Sequence, residues 1–468
     1  MNKSIIKNVI DLMISNIILL SISVLSSFIT PLILGHDGYG YYRLFTLYIS
    51  YVPLLHLGFI DGIFIRNAGK RFESISLKKF RTYSRFIISF EFIISLLIIF
   101  ISFFIKISFI EREIYIAIAI YSFLFNSVTY FQFFSKCILK FKQLAVVTRM
   151  QSFINLFFLV LAFVIFKLKI AKISVTYYLF YMNITLLIIL VYYLFIYKLI
   201  VFGKSKPVNK EKNNILTFFK VGFSLMISYQ ITLLLINADN QFISIFFSIV
   251  EYANYAFAYS LGSLLVTVFG AVASVMLPYM KKAGKETVLK KYDNNLSIII
   301  FIVFFMLICY YPLLLIVNNF LVEYISSIKY LSIVFPGVAI TCVIQSYLFN
   351  NFIILNKMKQ FSLLSFMNLI FDYVIYYSVY LLTKNTFVIA LVSIPLLLMW
   401  YLSLEFYFNK VANTSYYNNF VYICLLSLSF IVINQLFNVV YGCIIYMMIL
   451  FSLTFIMKRK EIILYIKK

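Results

Sequence analysis

Long apolar stretches follow one another along the whole chain, and only short polar connections separate them. Fourteen of these stretches hold roughly 20 mostly apolar residues, which is the length of helix that spans the hydrocarbon core of a bilayer. They begin near Val9, Tyr41, Tyr83, Glu113, Ala145, Ser174, Leu216, Tyr252, Leu296, Tyr330, Phe361, Thr386, Asn418 and Val439. The pattern predicts an all-α polytopic membrane protein with about 14 transmembrane helices.

The composition supports this prediction. Hydrophobic residues make up 63% of the 468 residues and charged residues 12%, which is too little polar surface to cover a water-soluble protein. The longest connection, residues 201–215, is far shorter than a small soluble domain of about 50 residues. We therefore expect no extramembrane catalytic domain, and the function must lie within the membrane.

The first apolar stretch differs from a signal peptide. Lys3 and Lys7 precede it, but it continues past Leu20 to Leu34 without a small-residue cleavage site. A cleaved signal has a shorter apolar region that ends at such a site. We expect an uncleaved first transmembrane helix.

The formal net charge is +24, and the basic residues are distributed unevenly among the connections. With the N-terminus in the cytoplasm, all but eight of the 40 Lys and Arg fall at cytoplasmic ends and loops. The others are Arg43, Lys106, Arg112, Lys167, Lys169, Lys172, Lys329 and Lys384. The positive-inside rule describes this distribution. It predicts that both termini are cytoplasmic and that the basic surplus contacts anionic lipid rather than nucleic acid.

A weak internal repeat organises the stretches into two halves. Asp37 and Tyr41 open the second stretch, and Glu251 and Tyr255 open the eighth with the same spacing. Because both pairs fall at the same point of the in–out cycle, the predicted repeat is parallel. The predicted domains are an N-terminal six-helix bundle (1–200), a basic cytoplasmic linker (201–215), a C-terminal six-helix bundle (216–409), and two additional helices with a basic cytoplasmic tail (410–468).

Short motifs in both halves resemble those of a known family. In the first half they are Thr30–Gly40, Leu57–Gly62 and Arg66. In the second half they are Phe219–Ser224, Asp239, Glu251–Tyr255 and Leu277–Pro278. Taken with the length and the helix number, they resemble the polysaccharide repeat-unit flippases, which are the O-antigen and capsule translocases of the multidrug/oligosaccharidyl-lipid/polysaccharide exporter superfamily.

The resemblance implies two six-helix bundles that face each other across a central cavity, with two extra C-terminal helices. It also implies the substrate, an oligosaccharide repeat unit linked by diphosphate to a polyprenyl lipid. Such a transporter moves its substrate by alternating access to the outer leaflet of the bacterial inner membrane, for O-antigen, lipopolysaccharide or capsule synthesis. The expected partners are this lipid-linked oligosaccharide, membrane lipids and the polysaccharide polymerase machinery, with no nucleic acid.

Sugar hydroxyls and a diphosphate cross hydrocarbon only if polar groups accompany them, because bare polar groups are costly to bury. We predict that Arg43, Arg66 and Lys220 bind the phosphates, since arginine pairs with phosphate through two hydrogen bonds. Arg43 and Arg66 lie too far apart on one helix to hold a single phosphate together. They would therefore act in successive states, and snorkelling to the headgroups is the alternative.

The seventh stretch carries a polar row. Lys220, Ser224, Ser228, Thr232 and Asp239 fall on one face of a continuous helix. This row predicts one wall of the substrate groove, with Ser224, Ser228 and Asp239 as substrate-binding residues. The alternative is close helix packing through small hydroxyl side chains.

The eleventh stretch carries Asp372 near the predicted bilayer midplane, where an exposed carboxylate costs several kcal/mol. Asp372 must therefore pair, hold a proton or face water. Four tyrosines follow it at helical spacing: Tyr373, Tyr376, Tyr377 and Tyr380. We predict that Asp372, Tyr373, Tyr376 and Tyr377 contact the substrate. The alternatives are an interhelix hydrogen bond for Asp372 and the interfacial aromatic belt for the tyrosines.

Energy coupling is predicted at carboxylates within the stretches. Asp61, Glu91 and Asp372 are the candidates for binding a coupling ion, and His56 is the one candidate for proton exchange near neutral pH. No cofactor is expected. A proton gradient, a sodium gradient and the membrane potential all remain open as the energy source.

Enzymatic alternatives find little support in the sequence. Gly203, Lys204 and Ser205 lack the upstream glycine and the preceding strand of a phosphate-binding loop. The five cysteines are scattered without a CxxC pair, so no metal site is predicted. A multidrug cation exporter of the same superfamily is the nearer alternative, and a membrane polysaccharide polymerase or ligase is the more distant one.

Overall fold

The computed structural model describes residues 3–69, 72–412, 414 and 416–466. This part of the chain is helical throughout and contains no strand. Thirteen of its helical stretches are long and apolar enough to cross a membrane. The prediction of an all-α polytopic membrane protein is therefore confirmed.

The first of these stretches, Asp11–His56, contains 46 residues. At 1.5 Å per residue it measures about 69 Å, more than twice the hydrocarbon thickness of about 30 Å. Gly35 interrupts it with φ 63° and ψ −173°, which lies outside helical geometry and needs the freedom of a glycine. Two crossings joined at Gly35 account for the length, and counting them separately gives the fourteen helices that the sequence predicts.

The chain divides into two compact units, unit 1 from Met1 to Gln230 and unit 2 from Ile231 to Lys468. The division falls inside a helix, whereas the sequence places a linker at 201–215. Unit 1 contains α1 (Lys3–Ile49), α2 (Phe59–Asn67), α3 (Leu77–Phe104), α4 (Phe109–Cys137), α5 (Phe141–Lys167), α6 (Val175–Ile196), α7 (Lys198–Val201) and most of α8 (Val208–Ile236).

Unit 2 holds the remaining helices, and it includes the last two. They are α9 (Ala238–Phe246), α10 (Ile249–Ala283), α11 (Lys285–Lys290), α12 (Tyr292–Phe305), α13 (Tyr310–Phe320), α14 (Ile328–Val343), α15 (Phe349–Ile354), α16 (Met358–Thr383), α17 (Thr386–Ala412), α18 (Tyr416–Leu436) and α19 (Val439–Ile466). The division into six, six and two helices stays a prediction.

Aromatic side chains fill much of the core of unit 1. Phe131 stacks on Tyr193 with ring centroids 5.8 Å apart and on Tyr197 at 6.0 Å, and all three are buried. Aromatic pairs at 4.5–7 Å stabilise a core beyond the area that they bury. Much of the aromatic content of this unit therefore serves packing.

The second crossing is a broken helix. A 3₁₀ turn, Val52–His56, follows α1, and Leu57 (φ 50°) and Gly58 (φ 82°) then separate it from α2. Because of this break, Arg43 and Arg66 do not lie on one continuous helix. The assumption of a single helix axis is therefore wrong, and the separation of the two arginines stays a prediction.

Three glycines hold the start of α2 directly against α8. A Cβ atom on Gly222 would lie 1.9 Å from the carbonyl oxygen of Gly58, and one on Gly62 would lie 2.0 Å from that of Phe218. Gly58 and Gly62 have the small-xxx-small spacing that lets membrane helices approach backbone to backbone. The break after His56 is thus fixed by a contact that only glycine permits.

The last two helices belong to the bundle of unit 2 through a buried polar network. Lys458 on α19 donates a hydrogen bond to Asn419 on α18. Asn419 in turn donates to Glu405 on α17 at 3.4 Å, and Tyr292 on α12 donates to the same carboxylate at 2.8 Å. All four residues are buried. The network joins four helices at one level, and it balances the buried carboxylate with a buried ammonium group.

Candidate functional site

Unit 2 contains a helix break with a carboxylate beside it. The helix α8 ends at Ile236, and Asp239 lies in the first turn of α9. Lys220, Ser224, Ser228 and Thr232 all lie on α8, whereas Asp239 lies beyond its end. The prediction that one continuous helix carries all five residues is therefore wrong for Asp239. Asn237 contributes to the break, because its side chain donates to the carbonyl of Leu233 at 2.9 Å.

Neutral groups surround Asp239. Its Oδ2 accepts a hydrogen bond from the hydroxyl of Tyr255, its Oδ1 accepts from the backbone N–H of Asn240 at 2.6 Å, and the side chain of Ser393 also interacts with it. The hydroxyl of Tyr259 donates to the carbonyl of Ile236 at 3.0 Å, so it satisfies an acceptor that the break releases. Asp239 is buried without an ion pair to any described residue.

Asp372 on α16 is a second buried carboxylate in this part of unit 2, and it interacts electrostatically with Asp239. Within the described ranges its carboxylate has neither a hydrogen bond nor an ion pair. Tyr373, the next residue, donates to Gln241 on α9 at 2.8 Å and so joins the two helices. Two buried carboxylates without a cation cannot both stay ionised at low dielectric. Uptake of a proton or a small cation would relieve the repulsion between these two carboxylates.

A small cavity lies beside Asp239. Its volume is about 10 Å³, and Asp239, Tyr259, Thr341 and Ser393 contribute polar atoms to its walls. A space of about 10–15 Å³ admits the centre of one water molecule. The cavity thus has room for a single water molecule next to Asp239.

The break in unit 1 also places a carboxylate in the first turn of a helix. Asp61 on α2 is buried, and its Oδ2 lies 3.7 Å from Nε2 of His56. The Nδ1 atom of His56 accepts a hydrogen bond from the N–H of Gly58 at 3.1 Å, so the proton of a neutral ring lies on Nε2, facing Asp61. Lys136 on α4 also interacts with this carboxylate.

Glu91 is another buried carboxylate of unit 1. The side chain of Asn126 on α4 donates to its Oε2 at 2.9 Å and to the carbonyl of Val52 at 3.2 Å. The second oxygen, Oε1, is buried and has no hydrogen-bond partner among the residues that the structure describes. Glu91 thus keeps a free acceptor in the interior of unit 1, at the level of the 3₁₀ turn.

Arg66 opens onto a polar pocket. The pocket has a volume of about 420 Å³ and lies among α2, α3 and α8. Its charged and polar walls come from Arg66, Asn67, Ser74, Ser76, Lys79, Tyr83 and Asn214. The buried Glu211 accepts from Tyr83 at 2.7 Å and lies 3.8 Å from Lys79. This pocket brings a predicted phosphate-binding residue together with a second cation and several hydroxyl groups, which the sequence did not indicate.

The other predicted substrate-binding residues differ in their exposure and in their contacts. Arg43 is half-buried on α1, and Lys220 and Ser224 are exposed on α8. Ser228 is buried, and its hydroxyl donates to the carbonyl of Ser224 on the same helix at 2.8 Å. Tyr376 is buried against Phe242, with ring centroids 5.6 Å apart. Contact of these residues with a substrate stays a prediction.

The partners of Asp239 were not among the predicted site residues. Tyr255 stands in a motif that the sequence singles out, but nothing in its spacing connects it to Asp239. Ser393 lies in a helix of ordinary composition. Only the packing of α9, α10 and α17 brings these hydroxyl groups to Asp239.

Comparison with solved structures shows which fold this is. The chain is similar to "Lipid II flippase MurJ, inward closed conformation", with a TM-score of 0.63 and 15% sequence identity. The similarity covers 98% of this chain and 100% of that chain. No protein-family model and no curated protein matches the sequence. The chain has a MurJ-like fold from end to end.

Proposed function

We propose that this protein is a flippase. It moves a polyprenyl-diphosphate-linked oligosaccharide repeat unit from the cytoplasmic to the outer leaflet of the bacterial inner membrane by alternating access, for O-antigen or capsule synthesis. The observation that carries the proposal is the end-to-end similarity to a solved lipid II flippase. The motifs around Gly58 and Asp239 support the assignment of the oligosaccharide-lipid substrate.

The pocket at Arg66 supports an anionic substrate. Arg66 and Lys79 provide two cations, and Ser74, Ser76 and Asn214 provide hydrogen-bonding groups. Guanidinium and ammonium groups bind phosphate oxygens with charge-assisted hydrogen bonds. Its volume of about 420 Å³ lies within the range of about 300–1,000 Å³ that is typical of ligand pockets. In our proposal this pocket binds the diphosphate from the cytoplasmic side.

The carboxylates of unit 2 supply the coupling. Asp239 and Asp372 take up a proton or a monovalent cation in one state and release it in the other. Binding neutralises a charge that is otherwise costly within the membrane, so the state that holds the ion is stabilised by the electrochemical gradient. The same pair is the feature that favours the second candidate function, which is export of organic cations.

Cells that depend on this protein for surface polysaccharide test the proposal. Arg66→Gln should reduce surface polysaccharide at equal protein abundance and leave lipid-linked repeat units in the cytoplasmic leaflet. Arg66→Lys should keep more activity than Arg66→Gln, because a cation remains in the pocket. Lys359→Gln, which removes an exposed cation outside this pocket, is the control. Normal export by Arg66→Gln would remove the pocket from the mechanism, and loss of cation resistance without a polysaccharide defect would favour the exporter.

A further inference from the structure

A second, larger cavity lies wholly within unit 2. It has a volume of about 590 Å³ and forms a groove among α10, α11 and α12. Most of its walls are apolar: Phe269, Val272, Met276, Met280, Val288, Ile298, Ile299 and Ile302. Val272, Tyr279 and Ile302 line it and are 46%, 72% and 45% exposed, so the groove is open at the surface of the unit.

The groove has an apolar end and a polar end. Its lining runs from Lys291, the residue before α12, through Asn295 to Ile302 on that helix. Eleven residues of helix span about 16 Å, which is close to half of the hydrocarbon thickness of about 30 Å. Its polar wall residues Thr287 and Lys291 belong to the connection around α11. Its length therefore matches one leaflet, with the polar end at a headgroup level.

The polar end carries a strong positive charge. Five exposed lysines lie within eleven residues there: Lys281, Lys282, Lys285, Lys290 and Lys291. Glu286 is the one acidic residue of this segment, and Asp293 follows two residues after it. Lysine clusters next to a membrane helix attract anionic headgroups. Each lysine near the surface raises the affinity for such a headgroup about fivefold.

We propose that this groove binds an anionic phospholipid, with one acyl chain along Ile298, Ile299 and Ile302 and the phosphate headgroup against Lys290 and Lys291. The apolar lining, the length of one leaflet and the cationic end together match one chain and one charged headgroup. The inference rests on unit 2 alone, and it does not depend on the substrate that the protein moves.

Lipid retention tests the proposal. The purified full-length protein is exchanged into nanodiscs of phosphatidylcholine with a minor fraction of phosphatidylglycerol, and the lipid that stays bound is measured by native mass spectrometry. We expect selective retention of one phosphatidylglycerol. The double variant Lys290→Gln/Lys291→Gln should lower its occupancy by about fivefold for each lysine removed. Lys357→Gln/Lys359→Gln removes the same charge from a connection that does not line the groove, and it should retain the lipid.

A second variant separates the groove from general surface charge. Ile302→Trp fills the apolar end without changing the charge, and it should lower retention of phosphatidylglycerol while the protein keeps its thermal stability. Equal retention of the two phospholipids, or the same loss in both lysine variants, would overturn the proposal. So would displacement of the bound lipid by inorganic phosphate alone or by polyprenyl phosphate in preference to phosphatidylglycerol, since the site would then be a phosphate site or a carrier-lipid site.

Discussion

The helix breaks before α2 and before α9 have the same local structure, but the residues around them differ. In each, a nine-residue helix follows the break and carries an aspartate in its first turn, Asp61 on α2 and Asp239 on α9. A negative charge is stabilised at the N-terminus of a helix. Around Asp61 the structure adds His56 and Lys136, which are basic groups. Around Asp239 it adds hydroxyl groups and a second carboxylate, Asp372.

The different surroundings of Asp61 and Asp239 indicate different roles for the two carboxylates. The carboxylate of unit 1 has a cation, Lys136, in its electrostatic surroundings and a neutral His56 that faces it with its Nε2–H. The carboxylates of unit 2 lack such a charge among the described residues, so they need a proton or a cation from outside. We therefore expect coupling in unit 2 and structural stabilisation at the break of unit 1.

The largest expected effect concerns the glycine contact that fixes the break of unit 1. Gly222→Ala would place a Cβ atom 1.9 Å from the Gly58 carbonyl oxygen, and backbone atoms cannot yield as a side chain can. We expect almost no folded protein after purification by size-exclusion chromatography. Gly270→Ala in unit 2 is the control, because nothing lies within 4 Å of the added atom. A normal yield of Gly222→Ala would show that α2 and α8 are not held in this contact.

The next effect concerns the unpaired carboxylates of unit 2. Asp372→Asn keeps size and polarity but cannot bind a proton or a cation. One coupled charge is worth about 2.3 kcal/mol per 100 mV, so its loss should slow gradient-driven transport about tenfold or more. Membrane insertion and abundance should stay normal. Transport at the parental rate, measured at matched abundance, would make Asp372 a packing residue.

A smaller effect is expected at the charge-compensated break. Asp61→Asn should lower the free energy of unfolding by about 1–3 kcal/mol, because a buried charged interaction is lost. The rate of transport per folded molecule should stay within about twofold, since our proposal places the coupling ion at the carboxylates of unit 2 and not at Asp61. Thermal unfolding and transport assays on the same preparation separate the two quantities. A transport loss equal to that of Asp372→Asn would give both breaks the same role.

The sequence predicts the helices well because the lengths of its apolar runs are set by the bilayer. It does not predict the breaks at Leu57–Gly58 and Asn237, because glycine and polar residues also occur inside continuous helices of this chain, such as Gly262 in α10. Nor does it predict the environment of the charges. His56 lies close to Asp61 in the sequence, but Tyr255 and Ser393 reach Asp239 only through packing of distant helices. Asp372 was recognisable because a lone carboxylate in an apolar run is costly.

The smallest effect is expected in the tyrosine row. Tyr376→Phe removes one hydroxyl from a ring that packs on Phe242, and Tyr377→Phe removes one from a half-exposed ring that packs on Phe246. The ring contacts survive in both, so transport should change by less than about twofold. A large loss of transport from either variant would show that a hydroxyl contacts the substrate directly.

The proposal that this protein flips a lipid-linked oligosaccharide is tested most directly by measuring lipid movement in proteoliposomes of the purified protein. A polyprenyl-diphosphate-linked oligosaccharide is placed in both leaflets, a proton or sodium gradient is imposed, and the fraction in each leaflet is followed with a membrane-impermeant probe of the sugar. We predict net movement that depends on the gradient and that is absent in empty liposomes. Asp372→Asn should slow this movement about tenfold or more, and Asp61→Asn should retain it. A distribution of the lipid that stays the same with and without protein, combined with gradient-driven uptake of an organic cation, would contradict the proposal.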